Sequence, residues 1–376
     1  MSSIVEVARE LGELIEAHAD EAERERRLPM ALVERLRDAG LLRMCVPKAY
    51  GGPECDPITI LRAIEAVSTA DGAAGWCTMI ASTTSSLSMF LPPVSAKELF
   101  GDPACITGGV FAPNGTAQPV PGGWEVSGRW MWGSGTQHCQ WIAGGAMAAD
   151  DAGDPAVHLF FFDAHDVTIL DTWHTSGLRG TGSNDFTVDR AFVPADRVVR
   201  PMSAVPTVDC ALSSFPNFTL LSIGVAAVAL GIARHAIDEF TELAQSKTPQ
   251  FAHRTLSESG SVQAELARAE ATLRSARALL FFEVGEAWAT AQAGDEVDVS
   301  ARARIRLAGV HAAQSAATCV DSVYTMAGGA AVYQTSVLQR CLRDVHVTTQ
   351  HIMVSPRMYE TLGKMFLGGR VDASMF

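Results

Sequence analysis

The chain has 376 residues, 48% of them hydrophobic and 19% charged, enough apolar material for packed cores throughout, which excludes disorder as its main state. Against 29 Lys and Arg stand 42 Asp and Glu, a formal charge of −13 and the wrong sign for a surface that holds nucleic acid phosphates. Eight singly scattered cysteines, with no CxxC pair, read as reduced thiols and give no metal site.

The N-terminal stretch MSSIVEVARELGELIEAHADEAERE carries acids where a signal peptide needs a basic flank, so a cytoplasmic protein is expected. Residues 1–103 read as a helical domain. In LPMALVERLRDAGLLRM, Pro29 suits a first turn, Leu32 and Leu36 share a face, and Gly40 stands where a helix-ending glycine belongs. In DPITILRAIEAVSTADG, Asp56 can cap, Pro57 can open the helix and Gly72 marks a break. From Gly72 to Phe90 the residues are small or apolar nearly all round, which predicts a helix buried on several sides. Over 104–200 the runs WEVSGRWMW, CQWIAGGAM, AVHLFFFD, VTIL and FTVDRAFV, punctuated by Gly, Pro and Asp, predict a β domain. Pro201 to Pro216 reads as a linker. Ala- and Leu-rich segments at 218–246, 258–293, 299–327 and 335–350 predict a four-helix bundle within 201–376. Its apolar stretch Leu220 to Ala233 is shorter than the roughly 20 residues a bilayer requires, so a buried helix and no membrane span are expected.

Helical domain, β-barrel or sandwich, then four-helix bundle is an α+β order that resembles the acyl-CoA dehydrogenase fold superfamily. GLRGTGSNDFTVDRAFVPADR (177–197) looks like its strand-turn-strand signature, and YTMAGGAAVYQTSVLQRCLRD (324–344) is similar to its Gly-Gly loop and following helix ending in Arg-Asp. WMWGSGTQHCQW (130–141) resembles one branch, the flavin-dependent two-component monooxygenases of the hydroxyphenylacetate hydroxylase type. The resemblance spans essentially the whole chain. It implies an oxygenase component that receives reduced flavin (FADH2 or FMNH2) from a separate NAD(P)H:flavin reductase. With molecular oxygen a C4a-hydroperoxyflavin then hydroxylates an aromatic or polycyclic small molecule. Flavin sites shared between subunits imply a homotetramer. The chain itself has no GxGxxG nicotinamide fingerprint following a strand.

A dehydrogenase of this fold needs a glutamate base, placed shortly after the Arg-Asp pair or on the first bundle helix. Here Arg343-Asp344 is followed by VHVTTQHIMVSP without a carboxylate, 201–237 holds Asp209 as its only acid, and Glu360 lies farther along. His351 occupies the region instead. The resemblance implies that it faces the substrate beside the flavin, where a neutral imidazole accepts a phenolic proton. The plain alternative is a histidine that merely packs, the role given to His346. An acyl-CoA dehydrogenase with a displaced base, and a catalytically silent binding subunit of the same fold, stay open as other readings.

By the same resemblance Trp132 packs on the isoalloxazine and the Ser134 hydroxyl reaches N5, against the alternative of a simple Gly-Ser-Gly turn. Ser183 in GLRGTGSND contacts the flavin, or else the segment is two tight turns. Gly328 and Gly329 receive the phosphate or adenosine part from a neighbouring subunit, or serve as a helix cap. Arg254 and Gln263 complete the cofactor set through the pyrophosphate, with a solvated loop cation as the alternative. Trp76, Met79, Thr83, Thr84, Phe90 and Trp173 are substrate-pocket candidates, although such residues are more often core.

Overall fold

The computed structural model describes residues 3–150, 152–373 and 376. Six helices come first: α1 (Ile4–Glu10), α2 (Gly12–Glu25), α3 (Met30–Asp38), α4 (Pro57–Ala70), α5 (Gly72–Ser85) and α6 (Pro93–Phe100). Their ends follow local chemistry. Ser3 and Glu6 form a capping box on α1, and Gly40 follows α3 in the left-handed conformation. Asp56 accepts the Thr59 N–H at 2.9 Å with Pro57 opening α4, and Asp71 accepts the Ala74 N–H at 2.8 Å to start α5. The break between α4 and α5 is therefore Asp71, extended at φ −157°, and Gly72 is the first residue of the next helix. Every residue of α5 except Ile80 is buried.

The central unit is one seven-stranded mixed sheet of β1 (Thr107–Val120), β2 (Gly123–Gly133), β3 (Trp141–Ala149), β4 (Pro155–Asp163), β5 (Thr168–Leu170), β6 (Asn184–Pro194) and β7 (Val198–Val199), in the order β5-β6-β2-β1-β3-β4-β7. The β1–β3 pair is parallel and all other pairs are antiparallel. Nothing in TGGVFAPNGTAQPV announces β1 as a strand. Its Gly115 serves the neighbouring strand: a side chain there would meet the Trp130 ring at 2.5 Å, as one at Gly144 of β3 would at 2.8 Å. Trp130 is fully buried over them, stacked on Phe186 with centroids 5.1 Å apart, and donates from Nε1 to the Gly145 carbonyl at 2.7 Å.

The remaining helices are α7 (Asn217–Ser246), α8 (Gly260–Gln292), α9 (Val299–Ala327), α10 (Val337–Thr348) and α11 (Met358–Phe366). The first four match the predicted bundle segments to within two residues at each end. Helix α7 contains the apolar stretch, and 89% of its most apolar window is buried. It packs against α4, α5, α9 and α10, so the bundle and the N-terminal helices share one core that also takes in Val126, Trp130 and Phe186 of the sheet.

Candidate active site

The site is built where the end of β2 meets α5, the loop before β6 and the segment after α10. Strand alternation would put Trp132 on the same side as Trp130. The β2–β6 register instead shifts between Trp130 and Gly133, and Trp132 adopts φ +68°, uncommon for so bulky a residue. This bulge turns the indole outward, 65% exposed, while Ser134 two residues later is buried. Strained backbone that presents a flat aromatic surface is typical of a binding position.

Ser134 stands in a line of hydrogen bonds whose direction is fixed at both ends. Trp76 Nε1 donates to Ser134 Oγ at 3.0 Å; Ser134 and Ser183 hydroxyls lie 2.7 Å apart, Ser183 and Thr181 2.6 Å apart, and Thr181 Oγ1 donates to the Leu178 carbonyl at 2.8 Å. Each hydroxyl has one proton. Thr181 spends its proton on Leu178, so Ser183 donates to Thr181 and Ser134 donates to Ser183. The loop carrying Thr181 and Ser183 is anchored from α10: Asp344 accepts the Leu178 N–H at 2.5 Å, and a Cβ at Gly177 would overlap the Arg343 carbonyl. This contact explains why the glycine-rich loop and the Arg-Asp pair occur together. Burial, with the Asp71 charge adding to it, raises the Asp344 pKa to about 7.

His351 completes the cluster. Helix α10 ends at Thr348, and His351 caps the short turn Ile352–Val354, its Nδ1 accepting the Met353 N–H at 3.2 Å. The ring meets Trp76 edge-on, centroids 5.5 Å apart. Desolvation, with a smaller effect from the Arg306 cation, lowers its pKa to about 4, so it is neutral at pH 7. With Nδ1 accepting, the neutral ring keeps its proton on Nε2. The expected acceptance of a phenolic proton therefore needs the other tautomer, and in this arrangement the ring offers a donor. His346 pairs with Asp321 at 2.8 Å, away from this cluster.

The other candidates fall into two groups. On α5, Thr83 lies two turns beyond Trp76, bonded back to the Met79 carbonyl at 2.8 Å, and Met79 and Thr83 face Gly224 of α7. Thr84 is buried and Phe90 is half-buried past the helix end. Trp173 donates from Nε1 to the Leu178 carbonyl at 3.0 Å, the same oxygen that ends the hydroxyl line, so it braces the loop. Arg254, Gln263, Gly328 and Gly329 form the second group. All four are exposed, Arg254 in the loop between α7 and α8, Gln263 in the first turn of α8 and the two glycines just after α9, and no described bond joins them to the Ser134 cluster. Gln263 Nε2 is held by the Ser257 carbonyl at 2.8 Å, whereas a Cβ at Gly328 or Gly329 would meet nothing within 4 Å.

These residues suit a flavin. The outward Trp132 offers a flat wall. Ser134 can rotate its proton from Ser183 to a ligand at little cost, since Ser183 keeps its own donation to Thr181 and only a lone pair goes unanswered. A small void of about 20 Å³ reaches Ser134 and Gly135 from the side of α3 and α5, bordered also by Cys77, Thr107 and His138. Among the described residues no group of His, Cys, Asp and Glu could hold a metal. Sequence reasoning missed Thr181 and the anchoring role of Asp344; the GTGS spacing and the Arg-Asp pair were their only signals.

Comparison with known proteins gives the family. Residues 3–92 match the family model for the acyl-CoA dehydrogenase N-terminal domain, and residues 223–356 that for the acyl-CoA dehydrogenase C-terminal domain. The indole-3-acetate monooxygenase of Pseudomonas putida is 32% identical over 94% of this chain and 90% of its own length. The flavin-dependent monooxygenase oxygenase subunit HsaA of Rhodococcus jostii is 28% identical over 92% and 93%. XiaF from Streptomyces, solved with FADH2 and glycerol, superposes with a TM-score of 0.91 at 27% identity, covering 98% of this chain and 96% of that one. The chain belongs to the acyl-CoA dehydrogenase family, in the branch whose members are oxygenase components of flavin-dependent monooxygenases.

Proposed function

We propose that this protein takes reduced flavin from a separate NAD(P)H:flavin reductase and uses molecular oxygen to hydroxylate an aromatic or polycyclic small molecule at the Trp132–Ser134–His351 cluster. One oxygen atom enters the substrate and the other leaves as water. The bound flavin supplies the two electrons and activates the oxygen.

The chain's own residues supply binding, orientation and dryness. Trp132 packs on one face of the ring system, and Ser134 turns its proton from Ser183 to the ring's polar edge. Trp76 fixes Ser134 by its indole N–H and excludes water with its apolar body. His351 donates from Nε2 to an oxygen of the substrate, which favours the electron-rich phenolate form of a phenol. To act as the base that makes the phenolate, it must first release the Met353 N–H.

The carrying observation is that the ionisable side chain packed on Trp76 is a neutral imidazole, and that among the described residues no carboxylate is free to replace it. Asp209 and Glu360 are exposed. The buried acids on the surrounding elements are committed: Asp71 caps α5, Asp185 pairs with Arg129 at 2.7 Å, and Asp344 holds Leu178. Abstraction of a proton from a thioester lacks its base.

Exposed Arg254, Gln263, Gly328 and Gly329 support a cofactor arm that runs toward a second copy of the chain, hence a homotetramer, in the cytoplasm. The units 1–103, 104–200 and 201–376 are our division of the chain. Supplying the protein with chemically reduced FAD or FMN, oxygen and a panel of phenols and indoles tests the reading: an oxygenated product is expected, and oxygen uptake that yields only hydrogen peroxide with every arene would refute it.

A further inference from the structure

Buried and half-buried arginines in this chain ordinarily have a guanidinium that is answered. Arg43 donates from Nη1 to the Gly51 carbonyl at 2.9 Å and from Nη2 to the Phe100 carbonyl at 2.6 Å, and half-buried Arg340 pairs with Asp20 at 2.5 Å. Arg306 on α9 differs. It is 0% exposed, its Nη1 meets the Met353 sulfur at 3.5 Å, and among the described residues nothing answers Nε or Nη2. Desolvation lowers its pKa only to about 10, so it is charged at neutral pH. A buried cation without a carboxylate costs stability, and a well-packed apolar side chain of similar length in its place is neutral or stabilising. Packing therefore does not account for the charge.

What Arg306 does touch is the support of His351. Met353 is buried and held at three points: its sulfur by Arg306, its carbonyl by the Ser222 hydroxyl of α7 at 3.5 Å, and its N–H by Nδ1 of His351 at 3.2 Å. One residue therefore carries both the contact with the cation and the bond that sets the imidazole's tautomer. On α5 the only titratable side chain is Cys77, whose thiol donates to the Thr181 carbonyl. The first ionisable residue of α7 is Arg234, more than three turns past Ser222 and paired with Asp238 and Glu270. On α9, Arg304 reaches Glu283, half-buried Arg302 stands one turn before Arg306, and His311 lies about 140° round the helix from it. On α10, Asp344 holds the Leu178 N–H, Arg343 pairs with Glu23 and His346 with Asp321, while Arg357, Tyr359, Glu360 and Lys364 beyond the turn are exposed. Arg306 is the charge that acts on His351, adding to desolvation in lowering the ring's affinity for a second proton.

We propose that Arg306 is a positioning residue for His351: through Met353 and through its own charge it holds the imidazole neutral with its proton on Nε2, so that the ring serves as a hydrogen-bond donor and not as a base. Taking a proton from a substrate would place a second cation in the same water-poor interior, which the arginine opposes. A substrate must then present an accepting oxygen to the ring. This rests on the monooxygenase reading above and settles which of two parts His351 plays in it.

The test is NMR of the full-length protein labelled with 13C and 15N in its histidine rings, the His351 signals being those lost in His351→Gln, followed from pH 8 down to pH 5. Wild type is expected to show the Nε2–H tautomer and almost no imidazolium at pH 5. Two neutral replacements, Arg306→Met and Arg306→Gln, should raise the proton affinity of His351 about three- to tenfold, the effect of removing one near charge, so that a clear imidazolium fraction appears at pH 5. Arg306→Lys, which keeps the charge, should hold the ring neutral as in wild type. Urea unfolding at pH 7 should show Arg306→Met at least as stable as wild type. An unmoved titration in a folded neutral variant, a shift in Arg306→Lys as large as in the neutral ones, or failure of both neutral variants to fold would overturn the assignment and make Arg306 structural. Failure of the parent reading looks different: reduced flavin is not bound, or no arene is oxygenated, whatever the ring's titration.

Discussion

Removing the hydroxyl of Ser134 and removing that of Ser183 should have opposite consequences, although the two oxygens are only 2.7 Å apart. Ser134→Ala leaves the buried Trp76 N–H without its acceptor at 3.0 Å, a cost of about 1–3 kcal/mol in stability. It also deletes the proton offered to the flavin edge. One neutral hydrogen bond of about 0.5–1.5 kcal/mol corresponds to a roughly two- to tenfold change in the competition between oxygen transfer and wasteful peroxide release. Ser183→Ala takes away the group that now absorbs Ser134's proton and frees that proton for the ligand, so coupling is kept or improved. The assay is hydrogen peroxide released per oxygen consumed, measured beside product, at saturating reduced flavin. If Ser183→Ala uncouples as strongly as Ser134→Ala, or Ser134→Ala leaves coupling unchanged, the directed hydroxyl line does not act as described.

Three further outcomes are expected. His351→Ala should lower product formation by about a hundredfold, in the range of a positioned proton donor or acceptor, without weakening reduced-flavin binding; loss of that binding would make the residue structural. Asp344, with its folded pKa raised to about 7, binds more protons folded than unfolded between about pH 4 and 7, so its charge erodes stability as pH rises through that window. Asp344→Asn keeps an acceptor for Leu178 and should gain stability relative to wild type from pH 4 to 7 in urea unfolding, with a constant difference above. His138, His235 and His351, each lowered to about 4 by desolvation, act in the other direction. They remain neutral when folded and take up protons when unfolded below about pH 6.5, so the stability they allow is complete above that value and lost as pH falls toward 4. Replacing His235, which is remote from the cluster, by Gln should flatten acid unfolding by up to one proton per molecule.

The helices were legible in the sequence because their signals are local. Asp56-Pro57 and the Gly294 and Gly328 breaks act within one turn, and α5 is small and apolar all round because it is enclosed. Strand β1 was not legible, since its glycines and prolines serve pairing and the Trp130 ring rather than strand propensity. Of the candidate site, His351, Ser134 and Ser183 were named through a family pattern and Trp76 only as one apolar pocket candidate among several; the folded chain brings the four into one contiguous cluster. What the sequence did not carry was direction: the sense of the hydroxyl line depends on Thr181 reaching Leu178, and the His351 tautomer on a single backbone N–H. Arg306 was invisible for a plainer reason. It is one of several arginines on an Ala-rich helix, and only packing shows that Arg304 reaches Glu283 while Arg306 reaches no carboxylate.

The central claim is that a neutral imidazole and a serine line, with no free carboxylate among the described residues, make this cluster a partner for reduced flavin. Its most direct test is the ratio of dissociation constants for oxidised and reduced flavin, measured anaerobically on the same preparation. The reduced form is expected to bind more tightly. Tighter binding of the oxidised form, with the flavin then bleached by an acyl-CoA, would contradict it.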